Sequence, residues 1–403
     1  MLSRLRGSRA TQATWAVWRR HQVERDYIQR RETYAQMARE RGLVYRETDV
    51  RAAVRARLKN RGYAPHRRRH GEIHTFAFVP RIGWHSKLLP DLQELGTLSI
   101  FDYVEYGYDW REFARGDARS AMRRREMNAQ ALAALKTIHA RRPVDWVFVY
   151  ASGLEVRREL LRSITEEFGV PLVSMCLDDK QSWTGPLFDG QRLGQIDIAP
   201  LFDLSWTSAT VACDWYLCEG ARPLYLPEGF DMSTHRPLGP RHDIPVSFVG
   251  AAYGYRPFLI RYLRDRGIGV RTFGAGWAEG CTSDPVEIFN RSEINLGMGG
   301  VGYSEDLTNV KARDFEVPAT GGGVYVTSFN PDLARHFTVG LEIICYRTRE
   351  ELVELVRYYL AHPDEARLTA ARGRERCLAE HRWLHRYLKI TELLGITARS
   401  DGC

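Results

Sequence analysis

The chain has 403 residues, 44% of them hydrophobic and 27% charged, proportions that fit a folded soluble protein and exclude disorder throughout. Its net charge of +8 is unevenly placed: residues 1–70 hold 18 arginines and one lysine against 6 acidic residues, while the other 333 sum to −5. The pI near 9.1 therefore belongs to an Arg-rich leader, and the body is not a basic nucleic-acid platform.

The leader reads as helix over residues 10–60. Trp15, Trp18, Val23, Tyr27, Tyr34, Met37 and Ala38 recur every three or four residues, with arginines on the other face. A break at Gly42 and a second helix from Asp49 to Asn60 make a hairpin. Such a face is either simply solvated or suited to an anionic membrane surface. The first 23 residues lack the apolar centre of a secretory signal, and their Arg-rich composition also resembles a transit peptide. No run reaches the roughly 18–20 apolar residues of a membrane span. Cysteines 176, 213, 218, 281, 345, 377 and 403 are odd in number and include no Cys-x-x-Cys, so a reducing cytoplasm is expected, with the leader peripheral at a membrane if it docks there.

From Ile73 short apolar runs alternate with helical segments. Strands are predicted at 73–79, 98–103, 146–150, 172–176, 203–207 and 223–227. Helices fall at 86–95, 117–140, 155–168 and 209–219. The Pro/Gly-rich stretch from Leu226 to Pro240 reads as a linker. A second series follows, with strands at 246–250, 269–273, 292–296, 323–327 and 342–346. Its helices are placed at 256–266, 285–290, 308–318, 331–336, 349–361 and 364–380. This βα alternation predicts an α/β fold of two Rossmann-like domains facing a central cleft. The expected segments are a helical extension at 1–70, a first Rossmann-like domain at 71–238, a second at 239–380 and a tail helix at 381–403.

The strongest local pattern runs from Asn309 to Gly323, after the glycines at 297, 299, 300 and 302. A glycine-rich loop entering a helix favours an anion, because the first-turn N–H groups and the helix dipole both attract it. Lys311 and Arg313 add mobile and bidentate donors suited to a diphosphate, and Glu316 offers a carboxylate to a pair of vicinal hydroxyls, as in ribose. The alternative is a surface helix with an Arg–Glu pair. Gly274-Ala-Gly276-Trp277 ends a strand and superficially resembles a dinucleotide fingerprint. Trp277 fills the space a pyrophosphate needs, and Asn295 stands where an acidic residue would hold the ribose, so this turn reads instead as the edge of a base or sugar pocket.

In the first domain Gly83, Trp84 and His85 follow the first strand, and Asp178-Asp179-Lys180 follow the fourth. His85, Asp178 and Asp179 are candidate catalytic groups, as base or as orienting residues. A surface imidazole and a helix cap are the plainer readings. No metal site is expected: His66, His70 and His74 enclose three arginines, and no Asp-x-Asp occurs.

The ordered series Ser247-Phe-Val-Gly250, Phe273-Gly-Ala-Gly-Trp277, Ile294-Asn-Leu296, Lys311-x-Arg313-x-Phe-Glu316, Gly321-Gly322 and Thr348-x-Glu350-Glu-Leu352 resembles the C-terminal domain of CgeB-like (spore-maturation-type) glycosyltransferases, over about 245–397. Leu177-Asp-Asp-Lys180 and Leu226-Pro-Glu-Gly-Phe-Asp231 are similar to the N-terminal half of that family. The resemblance implies a GT-B fold, metal-independent transfer from a nucleotide sugar, and no cofactor beyond that co-substrate. The acceptor would be a glycan, a lipid-linked molecule or a secondary metabolite. Glu316 matches the ribose-binding glutamate of the related Glu-x7-Glu motif, whose first glutamate is replaced here by Thr308, so retaining and inverting outcomes both stay open. Gly250, Arg256, Gly274, Gly276, Trp277, Asn309, Lys311, Arg313 and Glu316 are the expected donor-binding residues. A non-catalytic glycan-binding or assembly protein on the same scaffold, and a sugar-nucleotide epimerase, are the alternatives.

Overall fold

A computed structural model describes residues 9–64, 67–80, 87–188, 191–239, 242–282 and 284–397. The chain divides into two compact units. The N-terminal unit comprises residues 33–231 and 382–403; the C-terminal unit comprises 232–381 together with 1–32.

The leader forms α1 (Arg9–Glu40) and α2 (Glu47–Asn60), broken as expected at Gly42, whose φ of +62° is a left-handed conformation that glycine adopts without a Cβ clash. Val50, Val54 and Leu58 of α2 are buried in the same core as Trp146, Phe148 and Trp206. Each such side chain contributes about 1.5–3 kcal/mol on burial, so α2 is a layer of the N-terminal unit. Its charged face is put to internal use. Arg57 Nε and Arg61 Nη1 reach the fully buried Asp203 at 2.9 and 2.5 Å, and Asp203 also accepts the Leu172 N–H at 2.9 Å.

Next come β1 (Ile73–Phe78), α3 (Leu89–Glu94), β2 (Gly96–Phe101), α4 (Trp110–Phe113), α5 (Ala118–Arg141), β3 (Trp146–Val149), α6 (Arg158–Phe168) and β4 (Leu172–Cys176). The unit continues with α7 (Asp179–Ser182), the small hairpin of β5 (Leu187–Phe188) and β6 (Gln191–Arg192), then β7 (Leu204–Thr207), α8 (Thr210–Cys218) and β8 (Pro223–Tyr225). Six strands pair in parallel in the order β2-β1-β3-β4-β7-β8. Every residue of β1, β3, β4 and β7 is buried, the pattern of a sheet covered on both faces.

The C-terminal unit repeats the plan with β9 (Ile244–Val249), α9 (Arg256–Arg264), β10 (Val270–Phe273), α10 (Pro285–Arg291), β11 (Ser292–Leu296), α11 (Arg313–Thr320), β12 (Val324–Ser328), β13 (Ile344–Tyr346), α12 (Arg349–Ala361) and α13 (Pro363–Glu380). Its five parallel strands run β10-β9-β11-β12-β13, so the order reverses between β9 and β11. Ligands of such sheets bind at the carboxyl ends beside that reversal. The helix expected at 331–336 is a single 3-10 turn, Leu333–Arg335. Finally α14 (Trp383–Leu393) places Trp383, Tyr387 and Ile390 in the N-terminal core. No helix among the described residues is long and apolar enough to cross a membrane.

Candidate active site

The carboxyl end of β9 organises the C-terminal unit's site. Gly250 donates its N–H to the Phe273 carbonyl at 2.7 Å, and its own carbonyl accepts the Trp277 indole N–H at 2.6 Å. Gly274, at φ +136°, lies so close that a Cβ there would stand 2.5 Å from the Gly250 oxygen. A Cβ on Gly250 would in turn come within 2.9 Å of Arg313 Nη1. Gly276, at φ +86°, completes the turn, packed toward Ala252. Two glycine turns are thus nested with Trp277 as the pin, and side chains would separate them.

Two arginines close on this nest. Arg313, the first residue of α11, donates Nη1 to the Val249 carbonyl. Arg256, the first residue of α9 and 9% exposed, donates Nη1 to the Ala251 carbonyl at 3.2 Å and lies 4.3 Å from the Tyr253 ring centroid. The Nε atoms of both are buried without a hydrogen-bond partner, and neither guanidinium meets a carboxylate among the described residues. Burial above all, with the Arg313 charge adding to it, pushes the Arg256 pKa below its ordinary value. Unpaired like charges held beside each other at low dielectric are costly, and an anion between them would relieve that cost.

The segment leading into α11 differs from the sequence expectation. The helix begins at Arg313 instead of 308, because Asp314, 3% exposed, draws the Lys311 N–H to its carboxylate at 2.8 Å while Thr308 pairs with Gly300 in an isolated bridge. Asp314 also accepts from the Tyr325 hydroxyl at 2.8 Å, and burial raises its pKa. The N–H groups of residues 314–316 are used within the turn. Cationic side chains therefore dominate this end of the unit. Asn309 is buried; its N–H goes to the Gly299 carbonyl at 2.8 Å and its Oδ1 has no partner among the described residues. Lys311 is half-buried beside it. Glu316 is 5% exposed, and its Oε1 lies 3.6 Å from Nε2 of the buried His235.

In the N-terminal unit, Asp179 is 1% exposed and accepts hydrogen bonds from the Tyr216 hydroxyl at 2.7 Å and from Thr207 Oγ1. Burial raises its pKa to about 6. Asp178 is half-buried, and its carbonyl takes the N–H groups of Gln181 and Ser182 at 2.9 and 2.8 Å. His85, with Gly83 and Trp84, lies outside the described residues. The structure thus gathers Gly250, Arg256, Gly274, Gly276, Trp277 and Arg313 around one turn, with Asn309 and Lys311 on the segment entering α11. The sequence reading missed a cavity of about 630 Å³ lined by Arg20, Tyr255, Thr308, Ser328, Phe329 and Arg347 among others. Ser328 ends β12 and Arg347 directly follows β13, so strand-end position was the signal that could have found them.

Residues 256–392 match a family model described as glycosyl transferase-like. The chain has a GT-B fold of two Rossmann-like units, the second of them glycosyl transferase-like. Among solved structures with this fold, Anabaena HepE in complex with UDP and glucose is 10% identical with a TM-score of 0.52, covering 80% of this chain and 100% of that one. The trehalose 6-phosphate synthase of Burkholderia multivorans is 12% identical with a TM-score of 0.51, covering 80% and 98%. Another trehalose-6-phosphate synthase is 13% identical with a TM-score of 0.52, covering 80% and 99%. No curated protein sequence matches the chain. At these identities the structures speak for the fold of this chain, and its chemistry rests on its own residues.

Proposed function

We propose that this glycosyltransferase, a member of the CgeB-like branch, moves a sugar from a nucleotide-sugar donor to a glycan, lipid-linked or secondary-metabolite acceptor, with no cofactor beyond the donor and no metal. The observation that carries the reading is the pair of buried Arg256 and half-buried Arg313, with buried, unpartnered Nε atoms, no carboxylate partner among the described residues, and both aimed at the Gly250 turn. Sugar transfer leaves negative charge on the departing diphosphate, and fixed cations aimed at that position lower the barrier without having to reorganise. Guanidinium groups also match phosphate oxygens in bidentate fashion. Lys311 adds a third cation on the segment before α11. Trp277 and the Gly274–Gly276 turn suit a base or sugar. Glu316, steadied by His235, is our candidate for the ribose hydroxyls, and the UDP seen in HepE on the same fold supports the donor class.

On the acceptor side, Asp179 is proposed as a positioning group, since Tyr216 and Thr207 already engage its carboxylate. Asp178 and His85 are retained as candidates to orient or deprotonate the acceptor. Peripheral docking of a cytoplasmic protein on an anionic membrane is also proposed, now narrowed to Arg55, Lys59 and Arg67. These three line a groove of about 1050 Å³ between α2 and α14 and have no carboxylate partner among the described residues.

Calorimetric titration with UDP, GDP and dTDP tests the donor side. One of them should bind, with or without EDTA, and Arg256→Ala or Arg313→Ala should weaken it about 10–100-fold at an unchanged melting temperature. Binding of none of the three would favour the glycan-binding alternative, and conversion of a nucleotide sugar without any acceptor would favour the epimerase.

A further inference from the structure

Four N–H groups of the glycine loop after β11 are already used inside the C-terminal unit. Gly297 donates to the Val326 carbonyl at 2.8 Å, Gly299 to Ser328 Oγ at 2.9 Å, Gly300 to the Tyr255 hydroxyl at 3.1 Å and Val301 to the Leu307 carbonyl at 2.8 Å. The Tyr346 hydroxyl donates to the Gly297 carbonyl at 3.2 Å. The loop is therefore a braced platform, and the cations assigned to the anion, Lys311 and Arg313, stand on the segment that leaves it. A buried polar cluster beneath them holds that segment.

Asp314 closes the turn that carries both cations. Its Oδ2 accepts the Lys311 N–H at 2.8 Å and its own N–H donates to the Lys311 carbonyl at 2.9 Å, so Arg313 lies inside a ring bonded at both ends. The other carboxylate oxygen is anchored to the sheet. Oδ1 accepts the Tyr325 hydroxyl at 2.8 Å and Thr327 Oγ1 at 3.3 Å. Tyr325 and Thr327 are two residues apart on β12 and share one face of the strand. A Cβ on Gly297 would collide with both hydroxyls, so the glycine leaves the room in which they reach the carboxylate. Asp314, Tyr325 and Thr327 are all buried. Three donors converge on one side chain, and an ionised carboxylate, which only accepts, satisfies all of them. Its charge works in the other direction. A buried anion next to a diphosphate repels it, so the carboxylate is explained by its hydrogen bonds and not by its field.

We propose that Asp314 is a positioning residue for the anion site: held by Tyr325 and Thr327, it fixes the 311–314 turn and so keeps Lys311 and Arg313 in place for the diphosphate of the donor. The inference rests on the nucleotide-sugar reading for its ligand and adds to it the group that aims the cations. A turn ordered before binding spares the complex the entropy of ordering it.

The test is calorimetric titration of the full chain with pyrophosphate, with UDP, GDP and dTDP as separate probes, together with hydrogen exchange at the Lys311 amide. Asp314→Ala should weaken pyrophosphate about tenfold although it removes a negative charge, and the Lys311 amide should exchange at least about tenfold faster. Asp314→Asn also drops the charge but still offers an oxygen to Lys311 and an amide to the hydroxyls, so it should restore both readouts to within about threefold of the wild type. Tyr325→Phe, which changes no charge, should weaken pyrophosphate about threefold, and it decides alone should Asp314→Ala not fold. Pyrophosphate bound at least as tightly by Asp314→Ala as by the wild type, equal losses in Asp314→Ala and Asp314→Asn, wild-type affinity in Tyr325→Phe, or no pyrophosphate binding by the wild type would overturn the proposal. Failure of all three nucleotides, with the pyrophosphate pattern intact, would instead remove the nucleotide-donor reading and leave the positioning role standing.

Discussion

A guanidinium with a buried, unpartnered Nε and no carboxylate is an expensive feature, and buried Arg256 and half-buried Arg313 are two of them at one turn among the described residues. Their types and rough positions were legible in the sequence. Their lack of partners was not, because whether a carboxylate lies within reach depends on segments far apart in the chain. Asp179 shows the opposite outcome. Its place after a strand suggested a catalytic carboxylate, and burial against Tyr216 and Thr207 makes it a polar element of the core. Its folded pKa of about 6 lies above the ordinary value of about 3.9, so the native state keeps this proton longer than the unfolded chain. The resulting stability is complete below pH of about 4 and is lost as pH rises to about 6, by about 3 kcal/mol. Asp179→Asn, which does not titrate, should therefore gain on the wild type across that window and level off above it. Urea unfolding of both proteins at a series of pH values checks this, and a difference that does not vary with pH would refute it.

At the scale of elements, the first part of α1 contacts the loop between β11 and α11. Trp15 meets Tyr303 edge-on at 5.2 Å, Arg20 pairs with Asp306, and Glu24 accepts the Ser304 hydroxyl at 2.6 Å. Ser304 Oγ in turn accepts the Leu307 N–H at 3.0 Å, so Glu24 positions the backbone that leads to Asn309 and Arg313. Glu24→Ala should raise the KM for the donor about 3–10-fold with kcat little changed, and Glu24→Gln, which still accepts, should restore most of it; steady-state kinetics decides. Deleting residues 1–60 would also remove Val50, Val54 and Leu58 from the core, so loss of the folded N-terminal unit by circular dichroism is expected. Most element positions were readable from periodicity. The exceptions have physical reasons: α4 and α7 span four residues and β5 and β6 two each, too short to show a period. The start of α11 is set by the Asp314 contact rather than by propensity.

For the molecule as a whole, part of the uneven charge has an internal use. Arg51, Arg57, Arg61 and Arg68 pair with Glu392, Asp203 and Asp145 inside the N-terminal unit. If Arg55, Lys59 and Arg67 dock on an anionic surface, their joint replacement by glutamine should abolish binding to phosphatidylserine vesicles at low salt while leaving UDP affinity intact. Vesicle sedimentation at two ionic strengths reads this, and equal binding by the triple variant would end the docking proposal. The sequence by itself determined the two βα series, the glycine turns and the excess of positive charge near the start, because periodicity, punctuation and composition are local properties of the chain. Only the tertiary structure decided that α2 belongs to a core, that Asp179 is buried and bonded, and that Arg256 and Arg313 share one turn without a counter-ion among the described residues. Burial and pairing arise from contacts between residues distant in sequence, and no local pattern encodes them.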